Sequence, residues 1–416
     1  MKVLLALTYY RPHVSGLTIY VERLARVLAE RGHAVTVLTS HYDASLPKQE
    51  TIEGVRVVRV PVAFRVSKGV IMPTYGQYAT RYVREHDVLS VHLPQFDAWG
   101  LTLRGRLFKK PTVLTYHCDL QLPPGGFNRV VDEVTFGANY LAAHWADKII
   151  AYTQDYADHS RLLSRFKQKI VVIPPPVVMP QPRPADVAAF RAAHHLDGRP
   201  SVGFAARFAA EKGIEVLLDA MPTLLQRFPN LKAFFAGPYQ GIVGEELYWE
   251  RLAPRIAALG DHWEFLGTLH PTREMPAYLG ALDALLVPSL NSTESFGLVQ
   301  VEAMLCGTPV IASNLPGVRQ PVRMTGMGEV TPIGGSAALA DAVTRILTNK
   351  SHYVRPRDEI AHIFDLNRTA DMYEDLFEAE AARLANRLVL PRGAGRSGHV
   401  AEAASAVAMT GGSDGE

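Results

Sequence analysis

Two carboxylates eight positions apart, Glu294 and Glu302, and two cations five apart, Arg207 and Lys212, are the side chains here whose type and spacing could do chemistry. A carboxylate accepts hydrogen bonds from a vicinal diol. An Arg fork grips a diphosphate bidentately, and a nearby Lys adds a point charge. After Glu294 come Ser295, Phe296, Gly297, Leu298 and Val299, a small-residue loop running into an apolar helical pattern whose first N–H groups would face an anion. His117 closes the run Thr115-Tyr116-His117, just before Cys118 and Asp119. The bland alternatives are two solvated helix carboxylates, a pair of solvated charges and a strand-end His that merely packs.

These groups need elements to hold them. The segment Pro288 to Val310 reads as loop, helix, turn and strand: Ala284 to Val287 is a buried run before it, and Leu298, Val301, Met304 and Leu305 recur at helical spacing. Arg207 follows a strand at Val202–Ala206, and Lys212-Gly213 leads into a helix marked by Val216, Leu217, Ala220 and Met221. At the start, Lys2–Leu7 is a strand, Thr8–Gly16 a loop, Leu17, Val21, Leu24 and Leu28 a helix face, and Ala34–Thr39 a second strand. That βαβ opening has one Gly, Gly16, where a dinucleotide fingerprint needs three, which argues against a nicotinamide cofactor. Further strands are expected at Val55–Val60, Asp87–His92, Thr112–His117, Lys148–Tyr152 and Ile170–Ile173, then at Leu231–Ala236, Trp263–Leu266 and Pro309–Ser313. Such alternation predicts α/β architecture with parallel sheets covered on both faces, and the carboxyl ends of the strands as the ligand edge.

The chain of 416 residues is 48% hydrophobic and 20% charged, long enough for two domains. The prolines from Pro174 to Pro184 mark a stiff linker. The expected division is 1–180 for a first Rossmann-like domain, 197–360 for a second, 361–388 for a closing helix and 389–416 for a Gly-, Ala- and Ser-rich disordered tail. Lys plus Arg minus Asp plus Glu is 43 − 41 = +2, which argues against a bulk nucleic-acid partner. Two cysteines, Cys118 and Cys306, lack metal-ligand spacing and suit a reducing cytosol. The apolar run Val3–Leu7 is too short for a signal peptide, and no stretch approaches the roughly 20 apolar residues of a membrane span.

The pattern Glu294-Ser295-Phe296-Gly297-Leu298, then Glu302-Ala303-Met304 and Gly307-Thr308-Pro309-Val310, resembles the E-x7-E signature of retaining family-four glycosyltransferases, the group 1 glycosyltransferases. The likeness extends over about Met1 to Leu388. It implies a GT-B fold, two Rossmann-like doubly wound domains facing a cleft, with the acceptor on the first, a nucleotide-sugar donor on the second and the last helix returning to the first. It also implies that Arg207 and Lys212 stabilise the departing diphosphate, that Glu302 holds the ribose, that Glu294 and His117 contact the donor sugar, and that Gly16 admits the phosphates. The turns at Gly237-Pro238 and Gly267 would line the base pocket. Asp119 keeps three readings: orienting His117, binding the acceptor hydroxyl or capping a loop. Relatives often carry two glycines in the first loop, a departure that touches phosphate or acceptor contacts.

The expectation is therefore a hexosyltransferase with no cofactor and no metal, acting on a saccharide or lipid-linked acceptor in glycolipid or cell-surface polysaccharide synthesis. Rivals are a nucleotide-sugar epimerase of GT-B architecture, a non-catalytic sugar-nucleotide-binding protein, and an α-glucan phosphorylase, which would need a longer chain. Arg104, Arg106, Lys109 and Lys110 beside Leu101, Leu103, Leu107 and Phe108 suit an anionic membrane surface, consistent with a cytoplasmic protein peripheral at the inner face; a solvated helix end is the alternative. Two domains carrying opposite halves of a site must close to assemble it.

Overall fold

The computed structural model describes residues 1–66, 69–121, 126–242 and 244–389. All but the first position of the expected tail, 389–416, lies outside the described residues.

Val- and Leu-rich runs, apolar on both faces, build two sheets that helices must cover on both sides. The first sheet takes β1 (Lys2–Ala6), β2 (Ala34–His41), β3 (Gln49–Ile52) and β4 (Val55–Pro61); β5 (Phe64–Val66) and β6 (Gly69–Ile71) form a separate hairpin. It continues with β7 (Val88–Leu93), β8 (Thr112–Tyr116), β9 (Lys148–Ala151) and β10 (Ile170–Val172), in the order β10-β9-β8-β7-β1-β2-β4-β3. Every neighbouring pair is parallel except β3 with β4. The second sheet is wholly parallel: β11 (Ser201–Ala205), β12 (Lys232–Ala236), β13 (Trp263–Gly267), β14 (Ala284–Val287), β15 (Val310–Ser313) and β16 (Gly328–Thr331), ordered β13-β12-β11-β14-β15-β16. The strand order reverses between β1 and β7 in the first sheet and between β11 and β14 in the second, and ligands settle at such points.

Around the first sheet lie α1 (Gly16–Glu30), α2 (Tyr75–Glu85), α3 (Ala98–Leu107), α4 (Gly126–Trp145) and α5 (Gln154–His159). Ser15 caps α1, its Oγ accepting from the Thr18 N–H at 3.2 Å, while Val21, Leu24 and Leu28 turn into the core. The second sheet carries α6 (Pro184–Ala193), α7 (Ile214–Arg227), α8 (Glu246–Ala257), α9 (Glu274–Ala281), α10 (Leu298–Leu305), α11 (Gln320–Thr325) and α12 (Ser336–Thr348). Short α13 (Lys350–Tyr353) and α14 (Arg357–Ile363) lead to the long α15 (Leu366–Val389). No described helix is long and apolar enough to cross a membrane.

The structure departs from sequence periodicity in particular places. Strands β3, β5, β6 and β16 span only three or four residues each, too few for alternation to separate them from loop. The proline stretch read as a bare linker ends in α6: Pro184 starts that helix, and Phe190 packs on Phe234 and Tyr278 with ring centroids 5.9 and 5.8 Å away. Helix α6 therefore belongs to the second sheet's layers, ahead of the expected start at 197.

Helix α15 returns to the first sheet. The Tyr373 hydroxyl bridges the Tyr20 hydroxyl (2.8 Å) and Thr115 Oγ1 (2.7 Å) in the interior, while Arg31 pairs with Asp371 and Glu374 at 2.6 Å. One apolar cluster runs from Val3 and Leu5 through Tyr20, Tyr152, Phe296 and Phe364 to Phe234 and Leu285, so the two sheets share a core. Tyr373→Phe strands two buried hydroxyls and is expected to lower the unfolding free energy by about 1–3 kcal/mol, read from the urea midpoint at unchanged m-value. A change below about 0.5 kcal/mol would mean that the surface ion pairs alone hold α15.

Candidate active site

The second sheet supplies most of the charged groups. Arg207 follows β11, and the chain then tightens through Ala210–Lys212 into Gly213, whose φ of 67° opens α7. A Cβ at Gly213 would stand 2.2 Å from the Pro288 carbonyl oxygen, so the turn lies directly on the end of β14. The Leu290 N–H donates to the Glu211 carbonyl at 2.9 Å. This contact is what brings Lys212 Nζ within 2.5 Å of Glu294 Oε2, from 82 positions away. Arg207 turns instead to Glu211 in its own turn, and its side chain is 38% exposed. Gly237, just after β12, and Gly267, at the end of β13, meet, the Gly237 N–H donating to the Gly267 carbonyl at 2.7 Å. Beside them Phe208, Tyr239, Trp249 and Phe265 form an aromatic cluster, with Tyr239 stacked on Phe265 at 4.2 Å.

The loop from Glu294 to Gly297 ends in a left-handed Gly297 (φ 77°), after which Leu298 and Val299 open α10. Phe296 is buried against Tyr152 and Phe364 at 5.9 and 5.8 Å, and Leu298 and Val299 join the shared core. Ser295 Oγ donates to the backbone carbonyl of His117 on the first sheet. Gln121 Nε2 donates to Ser292 Oγ at 3.0 Å, and the Tyr156 hydroxyl to the Ser292 carbonyl at 3.2 Å. The two halves of the site, which were expected to require closure, are thus already in contact.

On the first sheet, Gly16 opens α1 with an ordinary φ. The nearest atom that a Cβ there would meet is Leu298 Cδ1, at 4.0 Å, so the N-termini of α1 and α10 face each other. His117 lies at the strand end as expected, but its ring is committed. Its Nε2 is 3.0 Å from His92 Nδ1, its Nδ1 meets the Tyr152 hydroxyl, and His92 Nε2 is 3.4 Å from Ser90 Oγ. With both rings neutral the donation runs in one direction or the other, and in either case both nitrogens of His117 are engaged. Its backbone carbonyl, rather than its ring, reaches the second sheet. Asp119 does not orient His117: its Oδ1 accepts from Tyr116 and Ser160 hydroxyls at 2.8 Å each, and its N–H donates to the Tyr156 hydroxyl at 2.6 Å, which is a loop-ordering role. Glu302, on α10, meets Arg23 of α1 at 3.5 Å, and burial raises its pKa although Arg23 opposes the shift. Burial, with Glu294 and Asp119 adding, pushes the Cys118 thiol up to about 12, so it stays protonated. Among the described residues no group of three or more His, Cys, Asp or Glu is arranged to hold a metal ion.

Residues 14–179 match the family described as Glycosyltransferase Family 4, and residues 186–362 match Glycosyl transferases group 1. A D-inositol 3-phosphate glycosyltransferase of Nocardia farcinica is 30% identical over 363 residues, which is 82% of this chain and 78% of the relative. The chain belongs to the group 1 glycosyltransferases of family four. A phosphatidyl-myo-inositol mannosyltransferase of Mycobacterium leprae is 28% identical over 384 residues, 88% of this chain and 93% of that one. Among solved structures, an Anabaena protein in complex with UDP superposes with a TM-score of 0.73 at 22% identity, over 91% of this chain and all of the other (100%). Sucrose-phosphate synthase from Thermosynechococcus elongatus gives 0.72 at 22% identity, over 92% and 99%. These likenesses establish the GT-B fold.

Several residues around the site of this glycosyltransferase escaped sequence reasoning. Arg23 sits on the polar face of an amphipathic helix and looks like any solvated charge, yet it donates to the Pro176 and Val178 carbonyls at 3.2 and 3.0 Å as well as to Glu302. His92 lies inside a strand with no motif around it. Asp155 and Arg319, 164 positions apart, form a two-pronged ion pair across the domains at 2.5 and 2.9 Å.

Burial pushes the His92 ring down to about 3, and burial together with His92 drives His117 well below its ordinary 6.5. Above pH 6.5 both states of the chain are neutral here and the stability from this network is complete; as pH falls from 6.5 toward 3, the unfolded chain takes protons that the folded one refuses, and that stability is lost. His92→Asn keeps a hydrogen-bonding group near Nδ1 but removes the titration. Between pH 6.5 and 5 its unfolding free energy should fall less steeply than the parent's by about 1 kcal/mol per pH unit. Parallel slopes in chemical denaturation would mean that His92 is charged in the folded protein.

Proposed function

We propose that this glycosyltransferase is a retaining enzyme that moves a sugar from a nucleoside-diphosphate donor to an acceptor hydroxyl, without a metal ion, in glycolipid or cell-surface polysaccharide synthesis. The observation that carries the reading is the Lys212–Glu294 contact at the junction of the sheets, between the switch-point loops after β11 and β14. A diphosphate competes with Glu294 for the Lys212 ammonium and with Glu211 for the Arg207 fork, and Glu294 is then free to accept from sugar hydroxyls. Glu302, held only at 3.5 Å by Arg23, accepts from the ribose diol. The bond from the sugar's anomeric carbon to the diphosphate breaks, the acceptor oxygen bonds on the same face, and the acceptor proton passes to the departing diphosphate. Positive charge from Arg207 and Lys212 replaces a metal at that step. With both ring nitrogens committed, His117 acts by placing its carbonyl and Tyr152 rather than by exchanging protons. The Mycobacterium leprae relative's name supports a lipid-linked acceptor.

A cytoplasmic, peripheral location at the inner membrane face belongs to the same proposal. Arg81 and Arg84 of α2 flank Arg104 of α3 around an open recess of about 690 Å³ that Glu85 also lines, and Arg106, Leu107 and Lys109 are exposed. Arg104 is partly committed, donating to Thr80 Oγ1 and the Gly100 carbonyl at 2.9 and 2.7 Å.

A screen of UDP-, GDP- and ADP-sugars for thermal stabilisation identifies the donor. With it, Lys212→Ala should lower turnover about a hundredfold to a thousandfold, roughly 3–4 kcal/mol of transition-state stabilisation, with a smaller change in donor affinity. Glu302→Ala should mainly weaken donor binding. Near-normal turnover in Lys212→Ala would return that residue to a solvated charge, and loss of activity in excess EDTA would overturn metal independence. Binding to anionic vesicles should weaken with salt; none at low salt removes the membrane surface.

A further inference from the structure

The switch point of the first sheet holds a cavity of about 420 Å³ that the transferase chemistry does not use. Thr8, Tyr9 and Ser15 from the loop after β1 and Pro94, Gln95 and Phe96 from the loop after β7 form one side. Ile71 and Val70 of β6 and Val130 and Val134 of α4 form the other. Ligand sites in open α/β sheets favour this location, and a volume of this size walled mainly by apolar side chains is that of a small-molecule pocket. Val130, Val134 and Phe96 are 61%, 52% and 42% exposed, so three large apolar side chains cluster at one opening instead of being scattered singly.

A second, independent feature is Gln95. It lines the cavity at 3% exposure, its Nε2 donating to the Tyr75 hydroxyl at 3.0 Å, while its Oε1 has no hydrogen-bond partner among the described residues. A buried amide oxygen without a partner is costly, and since Gln95 lines the cavity a ligand that donates a hydrogen bond to it would relieve that cost. Ser15 of the same wall caps α1, whose Gly16 faces Leu298, so the wall of the cavity continues directly into the junction.

We propose that this cavity takes an apolar portion of the acceptor, with Gln95 Oε1 accepting from a polar hydrogen beside it and the reacting hydroxyl leading past Ser15 and Gly16 to the cleft. This rests on the transferase reading and narrows it: the acceptor is an amphiphile rather than a wholly polar saccharide. Its apolar part comes from a membrane lipid or from a free hydrophobic aglycone, two sources of one chemistry.

The test is calorimetric titration of the full chain with n-octyl β-D-glucoside below its micelle concentration, against methyl β-D-glucoside. The octyl compound should bind at least about tenfold more tightly. Val134→Asp, an exposed position whose change leaves folding intact by circular dichroism, should remove most of that preference, and Gln95→Leu should weaken octyl binding several-fold. Vesicles of phosphatidylcholine with phosphatidylinositol separate the sources: binding that Val134→Asp abolishes assigns a lipid chain, and octyl binding without vesicle binding assigns a free amphiphile. Equal binding of the two glucosides, with vesicle binding indifferent to Val134→Asp, overturns the cavity's role, and undiminished binding by Gln95→Leu overturns the anchor. Stabilisation of the parent protein by nucleoside diphosphates is read separately; its absence sinks the transferase site while the glucoside comparison still decides the cavity.

Discussion

The hydrogen bond from Ser295 Oγ to the His117 carbonyl joins the carboxyl edges of two parallel sheets, and the site depends on that junction. Parallel sheets buried on both faces offer ligands only their loop-bearing edges, so a site between two of them exists only where those edges are held together. The surrounding packing leaves little freedom. A Cβ at Gly317, where φ is 81°, would stand 2.0 Å from the Ser295 carbonyl oxygen, and Gln300 Nε2 reaches the Phe296 and Val318 carbonyls at 2.7 and 2.8 Å. The loop bearing Glu294 is thereby clamped from behind by the second sheet while its front touches the first.

Charge pairs reinforce the same junction in different surroundings. Burial works to raise the Asp155 carboxyl, but Arg319 and the Gly317 N–H together hold it well below the ordinary carboxylate value. That pair ties α5 to the turn before α11 with good geometry on both oxygens, unlike an isolated surface contact. Arg23 to Glu302 is longer and more accommodating. The junction combines a two-pronged ion pair across the domains with the short Lys212–Glu294 contact and the longer Arg23–Glu302 contact beside it.

The apolar continuity from β1 through Tyr152 and Phe296 to β14 carries a second consequence. Tyr20 and Tyr152 pack against His117, and Tyr373 bonds Tyr20 behind them, so the ring expected to contact the donor sugar is held in a buried, neutral network. The cavity beside Gln95 is walled by the loops after β1 and β7, and Ser15 at the end of the first of these precedes the Gly16 that faces Leu298.

Much of this protein was legible in the chain itself. Long buried strands such as Val88–Leu93 and helices with clear apolar faces such as α1 announce themselves, because burial on a regular element imposes periodicity. The spacing of Glu294, Glu302, Arg207 and Lys212 carried the family and pointed to the candidate site, since loop chemistry at strand ends is local in sequence. Partners were not legible: Lys212 with Glu294, Arg23 with Glu302 and Asp155 with Arg319 are each separated by at least 82 positions. Nor were the commitment of both His117 nitrogens, the return of Tyr373 to Tyr20, or the unpaired Gln95 oxygen. A side chain's type and local period follow from its own neighbours in sequence, whereas its hydrogen-bond partner and its dryness depend on which distant elements the packed sheets bring against it.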